Sequence, residues 1–306
     1  MIWRYAARLA IASLLVLPAC RDRSRDARET NRASLPPIFP KGPAGSTNWN
    51  PDAGAVILIR AGNSEDSAAV VMPDVTDSTI SFLNGVTPAI NGVTVDLLGR
   101  SGKIESGVAL TVVSGVDTTE GCFTWPAARI KHPHSGWSVA FAAGRVAPIP
   151  LDSIEGMTSV DSAALAASLT QSAATLPATS DPSYRGLPFR VRSAFKFRFD
   201  SVDAVVADVV RSVNEEANPR LEHLLLVGER PLGTSGKYSV AYFNRTAGAE
   251  ESTQVTEVLA VVLIGANKHP AAVLNVEYGD GGRFGLLERS DRGEWRTTWR
   301  SAYTGC

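Results

Sequence analysis

Basic residues concentrated in one short segment are the first candidates for chemistry in this 306-residue chain. Residues 189–199 read FRVRSAFKFRF, in which mostly apolar side chains alternate with mostly basic ones at a period of two. This is the period of a β-strand, so the cations are predicted to lie on one face at intervals of about 7 Å. A second basic pair lies beside two tryptophans near the C-terminus. The candidate anion-binding residues are Arg190, Arg192, Lys196, Arg198, Arg296 and Arg300.

Two interpretations of these cations are open. If both sets share one face, their guanidinium and ammonium groups would bind phosphate or carboxylate on a polymer or a lipid. Alternatively, each cation pairs across the sheet with an acidic residue, and unlike charges are favoured as cross-strand neighbours. The second interpretation is therefore the preferred one, with these acids as candidate partners: Glu229, Glu257, Glu277 and Glu288.

Histidine pairs and catalytic triads are the other chemistry to consider. His132 and His134 in the segment KHPHS would point the same way in a strand, where both could bind one transition metal with a distant carboxylate. Pro133 lies between them and favours a loop or an edge strand, so a solvated turn is the preferred interpretation. The many serines and aspartates permit numerous Ser-His-Asp combinations and select none of them. The sequence therefore predicts no metal site, no catalytic residue and no cofactor.

The elements that must position these residues are mainly β-strands. Short apolar runs separated by turn formers follow one another over residues 51–150 and again over residues 188–306. The first set is predicted to form antiparallel sheets as a sandwich or a partly closed barrel. The second is predicted to form an antiparallel meander, because no crossover helix separates its strands. The predicted class is mainly β, or α+β at most, with one or two short helices.

Two segments bear on the helix content. Residues 161–176 are predicted to be helical, with Asp161 or Ser162 as the cap and Pro177 as the stop. Residues 202–213 are ambiguous, because six valines recur at helical spacing while so many β-branched residues favour a strand. A helix is the interpretation adopted for that segment. Its valines are Val202, Val205, Val206, Val209, Val210 and Val213.

The N-terminus has the pattern of an export signal. Arg4 and Arg8 precede an apolar stretch over residues 9–17, and Cys20 follows shortly after it. Nine apolar residues in a helix span only about 14 Å, against a hydrocarbon core of about 30 Å, so the stretch is too short for a permanent membrane span. It is therefore predicted to be a signal peptide that is removed after export.

The end of this signal, Leu17-Pro18-Ala19-Cys20, resembles the lipobox of bacterial lipoproteins. The resemblance implies that Cys20 is lipidated on sulfur and becomes the mature N-terminus. A diacylglyceryl group with an N-acyl chain exceeds the two-chain threshold for stable membrane attachment. Arg21 follows the cysteine, which by the same resemblance implies the outer membrane, facing the periplasm, if the source is Gram-negative. The predicted regions are a signal peptide (1–19), a lipidated cysteine with a Pro-rich tether (20–50), an N-terminal β region (51–150), a helix with a linker (151–187) and a C-terminal β meander (188–306).

The predicted export to an oxidising compartment also suggests a role for the other two cysteines. If Cys20 is acylated, Cys122 and Cys306 remain, and two thiols in an exported chain are expected to pair because that environment is oxidising. Such a bridge would close a loop of about 185 residues and join the C-terminus to the N-terminal β region. The alternative is two free, buried cysteines.

The expected function follows from the predicted cellular location and from the net charge of the chain. A net charge of −1 argues against nucleic-acid binding, which requires a surplus of cations. The expectation is a lipid-anchored cell-envelope protein that acts as a non-enzymatic binding or structural module through its outer sheet face. Its expected partners are the membrane, through the anchor, and an anionic envelope polymer or an envelope protein. The alternative is an envelope hydrolase with its active site in a cleft between the two β regions.

Overall fold

The computed structural model of the chain describes residues 57–62, 64–71, 90–114, 124–131, 133–213, 218–265, 267–279 and 281–304. Within these ranges the predicted class is confirmed, because antiparallel strands dominate and one α-helix is present. The predictions for Cys20, the tether, Cys122, Cys306 and His132 lie outside the described residues and stay predictions. In the described part of the chain, no helix is both long and apolar enough to cross a membrane.

The N-terminal region forms a closed barrel. Its strands run in the order β1-β2-β5-β4-β3-β6, with β6 pairing back onto β1. Since closure leaves no free sheet edge, every barrel strand has a partner on both sides. The six strands are β1 (Ile57–Arg60), β2 (Ser67–Val71), β3 (Thr94–Gly99), β4 (Gly102–Val112), β5 (Ala127–Ile130) and β6 (Val139–Ala142).

The region after the barrel forms two antiparallel sheets and a helix. The first sheet has the order β12-β11-β10-β9-β8, and the second has the order β16-β15-β14-β13-β7. The predicted single meander is thus two meanders of four strands, each extended by one short strand from residues 147–153. The elements are β7 (Ala147–Ile149), β8 (Asp152–Ser153), α1 (Ser159–Thr175), β9 (Arg190–Phe199), β10 (Val202–Val213), β11 (Arg220–Pro231), β12 (Ser239–Ala249), β13 (Val255–Ile264), β14 (His269–Tyr278), β15 (Gly281–Arg289) and β16 (Trp295–Arg300).

Three hydrophobic clusters hold these elements together in four layers, in the order barrel, second sheet, first sheet and helix. The first cluster joins the barrel to one face of the second sheet, for example through Phe141 and Val262. The second cluster lies between the two sheets, where Phe197 meets Trp295. The third lies between the first sheet and α1, where Leu169 packs. The central strands of both sheets are therefore buried on both faces.

This layering explains why the helix predicted for residues 202–213 is wrong. The segment is strand β10, and nine consecutive residues of it, from Asp203 to Arg211, are buried. Val206 packs between the sheets, whereas Val205 packs against the helix side. A strand buried on both faces has apolar residues at nearly every position, which removes the alternation that identifies strands exposed on one face. The β-branched composition was the more informative signal.

Strand β9 has the predicted strand conformation, but its aromatic residues do not share one face. Ser193 lies opposite Asp208, and Val191 lies opposite Val209, so Arg192 is an extra residue in a β-bulge. A one-residue bulge reverses the alternation of side chains beyond it. Phe195, Phe197 and Phe199 consequently pack between the sheets, while Phe189 and Val191 pack with the cluster beneath α1.

The helix begins earlier than predicted. Thr158 is the N-cap of α1, and its hydroxyl accepts a hydrogen bond from the backbone N–H of Asp161 at 3.2 Å. Asp161 instead lies in the first turn, where its carboxylate accepts a hydrogen bond from the Thr158 hydroxyl at 2.8 Å. Leu165, Leu169 and Ala173 form the buried stripe, so a helix rich in small residues rests on the sheet through a narrow contact.

Candidate functional site

The structure does not bring the six predicted cations onto one surface. Strands β9 and β16 belong to different sheets, and their aromatic side chains meet between those sheets, with ring centroids of Phe199 and Trp295 6.5 Å apart. A bulge at Thr298 then turns Arg296 and Arg300 toward opposite faces of the second sheet. Both of these arginines are exposed. They therefore do not extend the cationic row of β9.

The cations of β9 have different surroundings. Arg192 Nη1 lies 3.1 Å from Asp208, and Arg198 Nε lies 3.7 Å from Asp203. Arg190 is exposed, and Lys196 is half-buried. Cross-strand pairing with acids is thus found for two of the cations, although the acids lie on β10 and are not the glutamates named from the sequence. Of those glutamates, Glu229 binds Arg289, Glu257 binds Arg100 and Glu288 lies near His269.

His134 is exposed and lies on the barrel side of the molecule. Its Nδ1 is 2.9 Å from Glu105, and its backbone N–H donates to the same carboxylate at 3.1 Å. These donors lower the pKa of Glu105 below its ordinary value. Among the described residues, no group of three or more His, Cys, Asp and Glu side chains is arranged to hold a metal ion.

One cleft lies beside the first half of α1. It has a volume of about 990 Å³ and is lined by charges of both signs, among them Asp152, Lys196 and Arg230. Arg230 donates through Nε and Nη2 to buried Asp203, at 2.8 and 2.6 Å. Lys237 donates to the Gln171 side chain at 2.7 Å. Two cations of this cleft, Arg230 and Lys237, therefore already have hydrogen-bond partners within the protein.

A second pocket lies beside the other half of α1, and two arginines line it. Arg211 of β10 lies directly opposite Glu222 of β11, and Arg245 of β12 lies opposite Leu224, two residues further along β11. Arg211 Nε donates to one carboxylate oxygen of Glu222, and Arg245 Nη1 donates to the other. Glu222 is 0% exposed, so a buried carboxylate holds both guanidinium groups in place. We call this site the two-arginine pocket.

Aromatic rings fix the orientation of one of these arginines. The guanidinium carbon of Arg211 lies 4.5 Å from the ring centroid of Phe189 and 5.6 Å from that of Tyr184. Tyr184 is itself held by a hydrogen bond from its hydroxyl to the carbonyl of Leu221 at 2.9 Å. The Arg211 Nη1 group also donates to the carbonyl of Leu187 at 3.5 Å. Arg211 is therefore positioned from several sides before any ligand arrives.

The walls of the two-arginine pocket are mostly apolar. Its volume is about 740 Å³, within the range typical of small-molecule sites. The second half of α1 and residues 186–189 supply the walls. Among the described residues that line it, none is acidic. The apolar lining includes Ala174, Leu176, Leu187, Pro188 and Phe189.

The two-arginine pocket contains more positive than negative charge. Two guanidinium groups face the single carboxylate of Glu222, which leaves a net charge of about one positive unit in partly buried surroundings. Burial lowers the pKa of Arg211, and burial together with the nearby Arg211 lowers the pKa of Arg245. Arginine remains protonated in proteins even so. The arrangement therefore offers ionic, hydrogen-bonded recognition of an anion.

Sequence reasoning missed this site, although a signal was present. Arg211 and Glu222 each interrupt an apolar run, and a charge inside a buried strand requires a partner. The helical interpretation of residues 202–213 hid that partner, because only strand pairing places Arg211 opposite Glu222. The chain matches no protein-family model, no curated protein and no solved structure.

Proposed function

We propose that the chain is an exported, lipid-anchored cell-envelope protein that binds an anionic ligand in the two-arginine pocket. The observation that carries the binding role is the pair of arginines on one fully buried carboxylate, in a pocket with no acidic lining among its described residues. A buried charge without full compensation is unfavourable, so an entering anion gains from completing the pairing. In this role the protein is a binding module for an anionic molecule of the cell envelope.

The N-terminal sequence supports the anchor. The signal resembles that of bacterial lipoproteins, and the following tether of about thirty residues has a mean reach of roughly 30 Å as a flexible coil. The folded part would thus work close to the bilayer without lying on it. The pairing of Cys122 with Cys306 belongs to the same proposal, because it depends on export to an oxidising compartment.

Replacing the lipidated cysteine tests the anchor. Cys20→Ser removes the only sulfur at the lipobox, so the protein should move from the membrane fraction to the soluble fraction of the envelope. Cell fractionation with immunoblotting measures this. Cys306→Ser is the matched control and should remain membrane-attached. Unchanged membrane attachment of the Cys20→Ser protein would reject the lipid anchor.

Replacing one pocket arginine tests the binding role. The wild-type protein should bind at least one of four anionic probes saturably in calorimetry: acetate, decanoate, inorganic phosphate or decyl phosphate. Arg245→Gln removes one charge-assisted contact, worth about 1.5–3 kcal/mol, and should weaken that binding by about tenfold or more. Arg220→Gln is the control, because Arg220 pairs with Asp181 and does not line the pocket. Failure of every probe to bind, or equal binding by both variants, would reject the proposed function.

A further inference from the structure

The number of charges in the two-arginine pocket restricts the charge of its ligand. Both oxygens of Glu222 are already engaged, one by Arg211 and one by Arg245. The three side chains together carry one excess positive charge. A ligand with a single negative charge would neutralise the site, whereas a dianion would leave a buried negative charge, which is costly.

The donors restrict the shape of the head group. A guanidinium group has five N–H donors in a planar fork, and Arg245 uses only Nη1 for Glu222. Arg211 uses Nε for Glu222 and Nη1 for the Leu187 carbonyl. The remaining donors suit a planar, two-oxygen acceptor, which arginine binds with two parallel hydrogen bonds.

The walls restrict the rest of the ligand. Most other side chains that line the pocket are apolar, among them Leu176, Pro188 and Phe189. A polar chain would therefore lose its hydration there and find few partners beyond Thr170 and Gln171. An apolar chain gains binding free energy with each methylene group that it buries. The cleft beside the first half of α1 differs in this respect, because its lining carries acids and bases together.

We infer that the ligand of the two-arginine pocket is a small amphiphile with one carboxylate head and an apolar chain. This inference rests on the proposed function and specifies its ligand. The carboxylate lies against Arg211 and Arg245 and completes a square of two cations and two anions with Glu222. The chain lies against the apolar residues that line the pocket at the end of α1 and in residues 187–189.

A comparison of four probes tests the head and the chain separately. Binding is measured by calorimetry at pH 8, where a phosphate monoester carries two charges. Decanoate should bind wild-type protein at least tenfold more tightly than acetate, which lacks the chain, and than decanol, which lacks the charge. Decanoate should also bind more tightly than decyl phosphate, which carries the wrong charge. Equal or tighter binding of acetate, decanol or decyl phosphate would overturn the inference.

Two variants test the charge count directly. Arg245→Gln lowers the excess charge to zero, so decanoate should bind at least tenfold more weakly while decanol binding stays unchanged. Glu222→Gln raises the excess to two, so the preference should reverse and favour decyl phosphate. Arg220→Gln, the control, should retain the wild-type order. An Arg245→Gln protein that binds decanoate as tightly as wild type would overturn the inference, as would a folded Glu222→Gln protein that keeps the wild-type preference.

The outcomes separate the ligand class from the binding role itself. Circular dichroism first establishes whether Glu222→Gln folds; if it does not, the Arg245→Gln comparison with Arg220→Gln decides. If decyl phosphate binds in an Arg245-dependent way and decanoate does not, the ligand class is wrong and the anion-binding role stands. If no anion binds wild-type protein, both are wrong.

Discussion

At the scale of single residues, the buried charges of this molecule are held by several groups at once. Asp96 in the barrel is 2% exposed, and its carboxylate accepts hydrogen bonds from Lys103 at 2.9 Å and from the backbone of Gly107 and Gly144 at 3.2 and 3.0 Å. Both glycines have a positive φ that other residues rarely adopt. One carboxylate thus fixes two irregular backbone segments.

The same contacts set the titration of Asp96. Burial opposes ionisation of the carboxyl group, but the hydrogen bonds from Gly144, Lys103 and Gly107 outweigh it and lower the pKa of Asp96 below its ordinary value of 3.8. A carboxyl group with a lowered pKa in the folded state stabilises the protein above the unfolded-state pKa. That contribution is lost as the pH falls through the folded-state pKa.

We therefore predict a pH-dependent effect of Asp96→Asn. The variant should lose about 2 kcal/mol of unfolding free energy at pH 7, because charge-assisted hydrogen bonds are replaced by weaker ones. The difference from wild type should shrink as the pH falls below about 4. Urea unfolding at several pH values measures it, with the exposed Asp152→Asn as a control that should stay close to wild type. A constant difference across this pH range would contradict the assigned role.

At the scale of elements, the sequence predicted a strand wherever the side chains on its two faces differ in polarity. The end of β9 is such a case, because Phe195, Phe197 and Phe199 alternate with basic residues. Strand β10 was not predictable in this way, since its burial on both faces depends on layers that form far away in the sequence. The bulge at Arg192 was likewise hidden, because no turn-forming residue marks it.

The candidate site was less predictable than the fold. The sequence singled out exposed cations at regular spacing, whereas the two-arginine pocket is built from three charges on three successive strands. Arg211, Glu222 and Arg245 come together only through strand register, which tertiary packing decides. Isolated charges inside apolar runs were the available signal, and a correct strand assignment for residues 202–213 was needed to use it.

At the scale of the whole molecule, the C-terminal residues return to the barrel side. Trp125, three residues after Cys122, and Ala302, four residues before Cys306, both pack in the cluster between the barrel and the second sheet. The two cysteines themselves lie outside the described residues. Their pairing stays a prediction, and the bridge would stabilise the fold by at most about 5 kcal/mol through loop closure.

Peptide mapping under non-reducing conditions tests this pairing. We expect a peptide containing Cys122 to be joined to the C-terminal peptide containing Cys306 in protein isolated from its native cells. Reduction should separate the two peptides and lower the urea concentration at the unfolding midpoint. Recovery of both cysteines as free thiols from native protein would contradict the pairing and weaken the case for an oxidising compartment.

The short strands β7 and β8 have a mechanical consequence. They are separated only by Pro150 and Leu151, yet β7 pairs with β13 in the second sheet and β8 pairs with β9 in the first. Sliding of one sheet past the other would have to stretch a connection two residues long, which reaches about 7 Å at full extension. This short connection limits sliding between the sheets, so a force applied at the barrel would be transmitted to the first sheet, which carries Arg211 and Arg245.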